Sequence, residues 1–429
     1  MDNFDNNICD KCKPHFEKLQ KEIEDLKRRL LTFENAHTPP SKNFVKREKV
    51  ENPKKSGRSY GHEGITRQTK QPSRTIALTS KKCPYCNSHS ITRLRTESRT
   101  IEDIPEPVQT KITRYLVNFY KCEHCGKTFN TKHRDLPEEG DFGNNTLAQV
   151  SLMKFQDRLP YRKIQEALER QYNLKITPAS ILDFTRRVGD KLENAYNQIM
   201  LRTRNSRFVY ADETGLKVDG KKYWIWIFVT AIGTLSIVRK SRGKNVVEEV
   251  LGKDYSGTII CDGWKAYPNF TRNIQRCWAH LLREAKFLSR KNEEAKLLSD
   301  KLHELYKNLK TTLDKGPPNH IRIILKMNAE KSLRELANKN YQSKDVQKFV
   351  IKIRNGANYW FNFVTNPLIE PTNNIAERAL REHVIHRKII GTYRNERGAQ
   401  IHERMMTCIA TWKQHGLNTR EELLKCVRS

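Results

Sequence analysis

Two aspartates stand where short apolar runs end: Asp212 in RFVYADET and Asp262 in GTIICDGW. A buried strand that ends in an acid presents hard oxygen ligands to a divalent cation. Two such cations about 3.5 to 4 Å apart activate an oxygen nucleophile and stabilise the leaving oxygen when a phosphodiester is cut or transferred. A third acid is expected from a helix. Glu377 lies one turn inside the helix predicted over IEPTNNIAERALREHVIHRKII, among Arg378, Arg381, Arg387 and Lys388. That mixture suits a site meeting both metal and phosphate. An ordinary i,i+4 pair between Glu377 and Arg381 accounts for it equally, and Glu370, just before the helix, competes for the role. Glu213 follows Asp212, but strand alternation points it to the other face, so it receives no metal role.

The cysteines suggest a second kind of chemistry. Of ten, six fall in three C-x-x-C pairs. The N-terminal stretch MDNFDNNICDKCK is acidic and polar rather than a secretory leader, so the pairs point to metal binding in a reducing, cytoplasmic compartment. Cys83 and Cys86, with Cys122 and Cys125, match a closed four-thiolate Zn²⁺ site of structural type, which leaves no open position for catalysis. The alternation of TKITRYLVNFYKC between the pairs predicts a strand, hence a zinc ribbon over 81–135. Cys9 and Cys12, with His15 three residues on, lack a clear fourth ligand and are read as ordinary thiols.

The surrounding elements must position these groups. From 204 to 429 the pattern is three strands, a helix, an acid-ended strand, then a strand running into a helix, with Asp219-Gly220 as a hairpin turn. This is the order of an α/β, RNase H-like catalytic core, carrying a Lys-rich helical insertion at about 288–355. Residues 140–203 read as helices. Thr177 and Pro178 provide an N-cap and a first-turn proline, and a helix-turn-helix would place Ala179 to Val188, with Arg186 and Arg187, in a major groove. A plain helical hairpin fits as well. Residues 38–80 form a basic linker. In 1–37, Phe16, Leu19, Ile23, Leu26, Leu30 and Phe33 make an a/d seam, read as a coiled coil joining two chains or as one amphipathic helix packed on its own protein.

Charge narrows the partner. The chain has 429 residues, 80 Lys plus Arg against 49 Asp plus Glu, and a formal charge of +31. That excess repels itself unless a polyanion neutralises it, which points to nucleic acid. No apolar run is long enough for a membrane span, and a cytoplasmic, nucleoid-associated protein is expected.

In YADETGLKVDGKKYWIW, in IICDGWKAY followed by QRCWAHLLREAK, and in EPTNNIAERALREHVIHRKIIGTY with RNERGAQ, the chain resembles transposases of the insertion sequence 66 family. The CPYC…CEHC module and the N-terminal seam keep the same order. The resemblance implies a DDE transposase, dependent on Mg²⁺ or Mn²⁺, that cuts and joins strands at terminal inverted repeats and inserts them into target DNA. It places the family's acids on Asp212, Asp262 and Glu377. The family's C-x-A-H-x-x-R segment falls on Cys277, Ala279, His280 and Arg283, with His280 either contacting DNA or serving structure. Members of that family can act with small accessory proteins encoded by the same element, and pairing two element ends calls for at least a dimer. A DNA-binding regulator without catalysis, and a nuclease that cuts without joining, are the competing readings.

Overall fold

The computed structural model describes residues 13–30, 71–99, 101 and 110–428. Cys9, Cys12, Phe33 and most of the 38–80 linker lie outside the described residues. Helix α1 (Lys13–Leu30) spans the seam positions from 16 to 30, and Leu19, Ile23 and Leu26 are each about half exposed.

The cysteine region is held by turns more than by a core. Cys83 N–H donates to Ser88 O and Asn87 N–H to Cys83 O. The second pair repeats this pattern, with Cys122 N–H donating to Lys127 O and Gly126 N–H to Cys122 O. In both turns the fourth residue on takes a left-handed conformation, Asn87 at φ 59° and Gly126 at φ 69°, which Asn and Gly tolerate best. Strands β1 (Phe119–Lys121) and β2 (Thr128–Asn130) pair antiparallel around the second turn, and all six residues are exposed.

Four helices follow: α2 (Asn144–Phe155), α3 (Tyr161–Tyr172), α4 (Pro178–Lys191) and α5 (Glu193–Arg204). Thr177 caps α4 as expected, its hydroxyl accepting from Ser180 N–H at 3.2 Å. Gly189 on α4 has a packing reason: a Cβ there would lie 2.6 Å from Ile401.

A five-stranded mixed sheet forms the centre of this α/β protein. Strands β3 (Phe208–Val218), β4 (Lys221–Thr230) and β5 (Gly233–Arg239) form an antiparallel meander. Helix α6 (Lys244–Leu251) leads to β6 (Thr258–Cys261), parallel to β3; α7 (Ala266–Phe270) leads to β7 (Ile274–Arg276), parallel to β6. The order is β5-β4-β3-β6-β7. The β3–β4 turn is Asp219-Gly220, with φ of 51° and 71°, the positive pair that a tight hairpin requires.

The run YWIWIFV in β4 is continuously apolar because both faces are covered. Trp226 and Phe228 face a core shared with α2 to α6 and with two later helices, α14 (Glu396–Gln414) and α15 (Thr419–Arg428). Tyr223, Ile225, Ile227 and Val229 face the other side. There they meet α8 (Trp278–Leu288), α9 (Glu293–Leu313), α10 (Asn319–Ala337) and α11 (Lys344–Asn355), then the short α12 (Asn362–Thr365) and α13 (Asn374–Ile390). Helices α9 to α11 occupy the stretch expected to be a helical insertion. Among the described residues, no helix is long and apolar enough to cross a membrane.

Candidate active site

Asp212 lies on the central strand β3 and Asp262 directly follows its parallel neighbour β6, so the sheet carries both acids on adjacent strands. Each is held locally. Asp212 Oδ1 accepts from Glu213 N–H at 2.9 Å. Asp262 Oδ1 accepts from Trp264 N–H at 2.8 Å, a turn that fixes the carboxylate just past the strand end.

Glu377 arrives from the first turn of α13, where the helix N-terminus favours a negative charge. Asn373 fixes that end of the helix. It is fully buried, its Nδ2 donates to Ala211 O at 2.8 Å, and its N–H donates to Cys277 Sγ at 3.1 Å. Thus α13 is tied to the residue before Asp212 and to the start of α8. Its other end is tied to the β3–β4 hairpin, where Asp219 N–H donates to Tyr393 O and Tyr393 N–H to Lys217 O.

The carboxylates feel one another. Burial, then the charges of Asp262, Glu213 and Glu377, push the Asp212 carboxyl up to about 8. Burial likewise raises Glu377, opposed by Arg283 and reinforced by Asp262. Like charges gathered in a low-dielectric place call for a cation. Glu370, the competing acid, is exposed and its N–H donates to the Tyr210 hydroxyl; it is not among the charges acting on Asp212.

Around Glu377 lies a softer set of donors. Its Oε1 is 3.3 Å from His280 Nδ1, and its Oε2 is 3.9 Å from Arg283. Cys277, His280 and Glu377 are the one trio of metal-ligand types, among the described residues, whose ligand atoms all fall within 4.8 Å. Neither the three acids nor the four paired cysteines are gathered that closely. Backbone amides of Tyr85 and Cys86 lower the pKa of Cys83, and those of Cys125 and His124 lower that of Cys122.

Glu213 does turn away from Asp212, yet it is buried rather than idle. It accepts from Tyr267 Oη at 2.5 Å and pairs with Arg242 at 2.8 Å. Arg242 lies over Trp264 at 3.6 Å and Trp224 at 4.4 Å, and Trp264 Nε1 donates to Arg242 O. This cluster supports the turn that holds Asp262. The sequence signal for it was faint, a charged loop of the type SRGK after β5.

The basic residues divide. Arg186, Arg378, Arg381 and Lys388 are exposed. Arg187 turns inward to the carbonyl of Glu139, and Arg387 donates to Gly215 O and to Thr214 Oγ1 on β3.

Comparison with known proteins decides the family. The model of the transposase IS66 family matches residues 139–401, more than half of the chain and all of the sheet with its three acids. The chain belongs to that family. It is also 24% identical over 321 residues to the uncharacterized protein y4qI of Sinorhizobium fredii (strain NBRC 101917 / NGR234), a match covering 66% of this chain and 58% of that relative. Membership in that family supports a transposase role.

Proposed function

We propose that this transposase is a DDE enzyme that cuts and joins DNA strands at the terminal inverted repeats of its element, with Asp212, Asp262 and Glu377 as the acids. The observation that carries the reading is the placement of Asp212 and Asp262 on adjacent parallel strands, with Glu377 close enough to raise the Asp212 pKa. The strand order β5-β4-β3-β6-β7 is what an RNase H-like core requires.

Two hard cations, Mg²⁺ or Mn²⁺, would be held by Asp212, Asp262 and Glu377, whose charges already act on one another. When bound they activate water or a 3′-hydroxyl and stabilise the leaving oxygen. The chain's own residues do the positioning. The hydrogen bonds from Glu213 N–H and Trp264 N–H fix one oxygen of each aspartate, while Asn373 sets α13 against β3. Arg283 beside Glu377 meets phosphate charge. His280 stands beside the Glu377 carboxylate, and the Cys277–His280–Glu377 trio suits a borderline-soft ion better than Mg²⁺.

The four paired cysteines would hold Zn²⁺ as a structural ion, bringing the two knuckles together in a ribbon. Arg186, Arg378, Arg381 and Lys388 are exposed for DNA phosphates, with α4 of the helical region in reach of a groove. Function as at least a dimer, paired through the seam of α1, suits a reaction that joins two element ends.

The test is a strand-cleavage and strand-transfer assay on DNA carrying the inverted repeats that flank the gene. Asp262→Asn is expected to lower Mg²⁺-dependent cleavage at least about 1000-fold while leaving repeat binding intact, since electrostatic and metal effects are commonly that large. Cleavage at the normal rate by that variant would sink the assignment. Cut but never joined products would favour a nuclease.

A further inference from the structure

Beside Asp262 lies a cavity of about 160 Å³ bordered by Asp262, Trp264, Arg276, His280, Lys352 and Trp360. Its unusual member is Arg276, the last residue of β7. The side chain is only 9% exposed. Its guanidinium donates to the backbone carbonyl of Lys352 at 3.5 Å and, among the described residues, forms no ion pair. Burial lowers its pKa, and Cys261, Tyr359 and Asp262 oppose that cost only in part.

Two further features keep it there. The rings of Tyr359 and Trp360 stand 5.5 and 5.6 Å from the guanidinium carbon. Gly356 leaves the space it fills: a Cβ at that position would lie 2.3 Å from Arg276 Nη1. The neighbouring Lys352 ammonium, held by Glu284 at 2.5 Å, adds a second cation to the same wall. A purely structural arginine stacked on two rings would not need a solvent-reaching cavity that ends at a catalytic carboxylate.

We propose that Arg276 and Lys352 form a phosphate subsite that holds a phosphodiester of the DNA strand next to the one being cut. This rests on the strand-cleavage reading above. A guanidinium presents paired donors that match phosphate oxygens, and in a low-dielectric wall such a contact is strong. The subsite fixes the register of the strand against Asp262 and acts by binding, with no bond made or broken at Arg276.

The experiment uses the full chain and inverted-repeat DNA carrying a single uncharged methylphosphonate, moved one position at a time along either side of the cleaved bond. For the unaltered protein, one flanking position should slow cleavage roughly 10- to 100-fold, the size of a lost charged hydrogen-bond pair. Arg276→Gln should slow cleavage of unmodified DNA to the same extent and become insensitive to that position. Gly356→Ala, which displaces the guanidinium but keeps its charge, should reproduce the defect and carries the test if Arg276→Gln does not fold. Arg276→Lys should recover part of the rate.

Arg276→Gln cleaving at the normal rate, or remaining sensitive to the same methylphosphonate, overturns the subsite while the transposase reading stands. Failure of the unaltered protein to cleave any repeat DNA overturns the strand-cleavage reading and the subsite with it. Inorganic phosphate that raises the melting temperature of the unaltered protein but not of Arg276→Gln, with equal DNA cleavage by both, would assign the pocket to free phosphate and overturn the DNA subsite.

Discussion

The sheet and the cysteine hairpin hold their functional residues by opposite means. Around the acids, Trp226, Phe228 and Ile227 are fully buried and the strands are covered on both faces. Around the cysteines, β1 and β2 are exposed from end to end, and turn hydrogen bonds shape the two knuckles. One region can place carboxylates with no ion present, because apolar burial has already fixed the backbone. The other shows little core among its described residues, and the Zn²⁺ proposed for it would supply its order. The lesson is that like-charged ligands need a rigid frame prepared in advance, whereas thiols can be their own frame once a cation joins them.

The contrast can be broken most directly by removing zinc. Chelation, or Cys122→Ser, is expected to unfold residues 81–135 and leave the sheet's melting temperature nearly unchanged, since a structural zinc contributes about 10 kcal/mol or more to its own small module. Hydrogen exchange read separately for the two regions checks this. A single cooperative loss of both regions would show that they depend on one another.

Attacking the other side, Trp226→Ala should cost roughly 3 to 5 kcal/mol in urea unfolding of the sheet. Zinc content should not change.

Acid sharpens the comparison through a buried histidine cluster. His383 Nδ1 and His402 Nε2 are 2.9 Å apart, His383 Nε2 meets Ser236 Oγ, and His386 Nε2 donates to Phe155 O. Burial depresses His383 to about 3 and pushes His386 and His402 down as well. Their folded pKa values lie below the unfolded value near 6.5, so the stability they contribute is complete above pH 6.5 and is lost as pH falls towards 3. At pH 5 one such group costs about 2 kcal/mol. Urea midpoints at pH 7.5 and pH 5 should differ accordingly, and His402→Leu should flatten the difference.

The smallest effect tests the helical region. Thr177→Ala removes the cap of α4 and should cost about 1 kcal/mol, visible as a small shift in the same unfolding curve. No shift would mean that the cap hydrogen bond to Ser180 is matched by water in the unfolded chain.

The residues differ in how plainly the sequence announced them. Asp262 was readable because a strand buried on both faces must be apolar, so an acid just past its end stands out. Asp212 instead lies within β3, which runs on to Val218 rather than ending at the acids. The Asp219-Gly220 turn and the Thr177 cap were readable for the same local reason. Glu377 was not separable from Glu370 by pattern, because what distinguishes them is a contact between α13 and β3 made through Asn373. Arg276 was invisible: among 80 Lys and Arg, nothing local marks the one lodged behind Gly356. Alternation told where Glu213 points but not that Arg242 and Tyr267 wait there, since those partners come from other elements.

Where α8 begins, Trp278 N–H donates to Pro371 O at 3.0 Å, two residues before Asn373 reaches back to Cys277. The excursion through α9, α10 and α11 therefore begins and ends at one neck. Its helices pack on the sheet through a shared core and bring Lys352 and Gly356 to the pocket beside Asp262. The number of residues between Asp262 and Glu377 can then vary in the loops that lie away from that core. For anyone aligning relatives or fusing a reporter into this protein, the loop joining α9 to α10 is the place where added length should be tolerated. Geometry at the neck, rather than spacing along the chain, is what a functional copy has to keep.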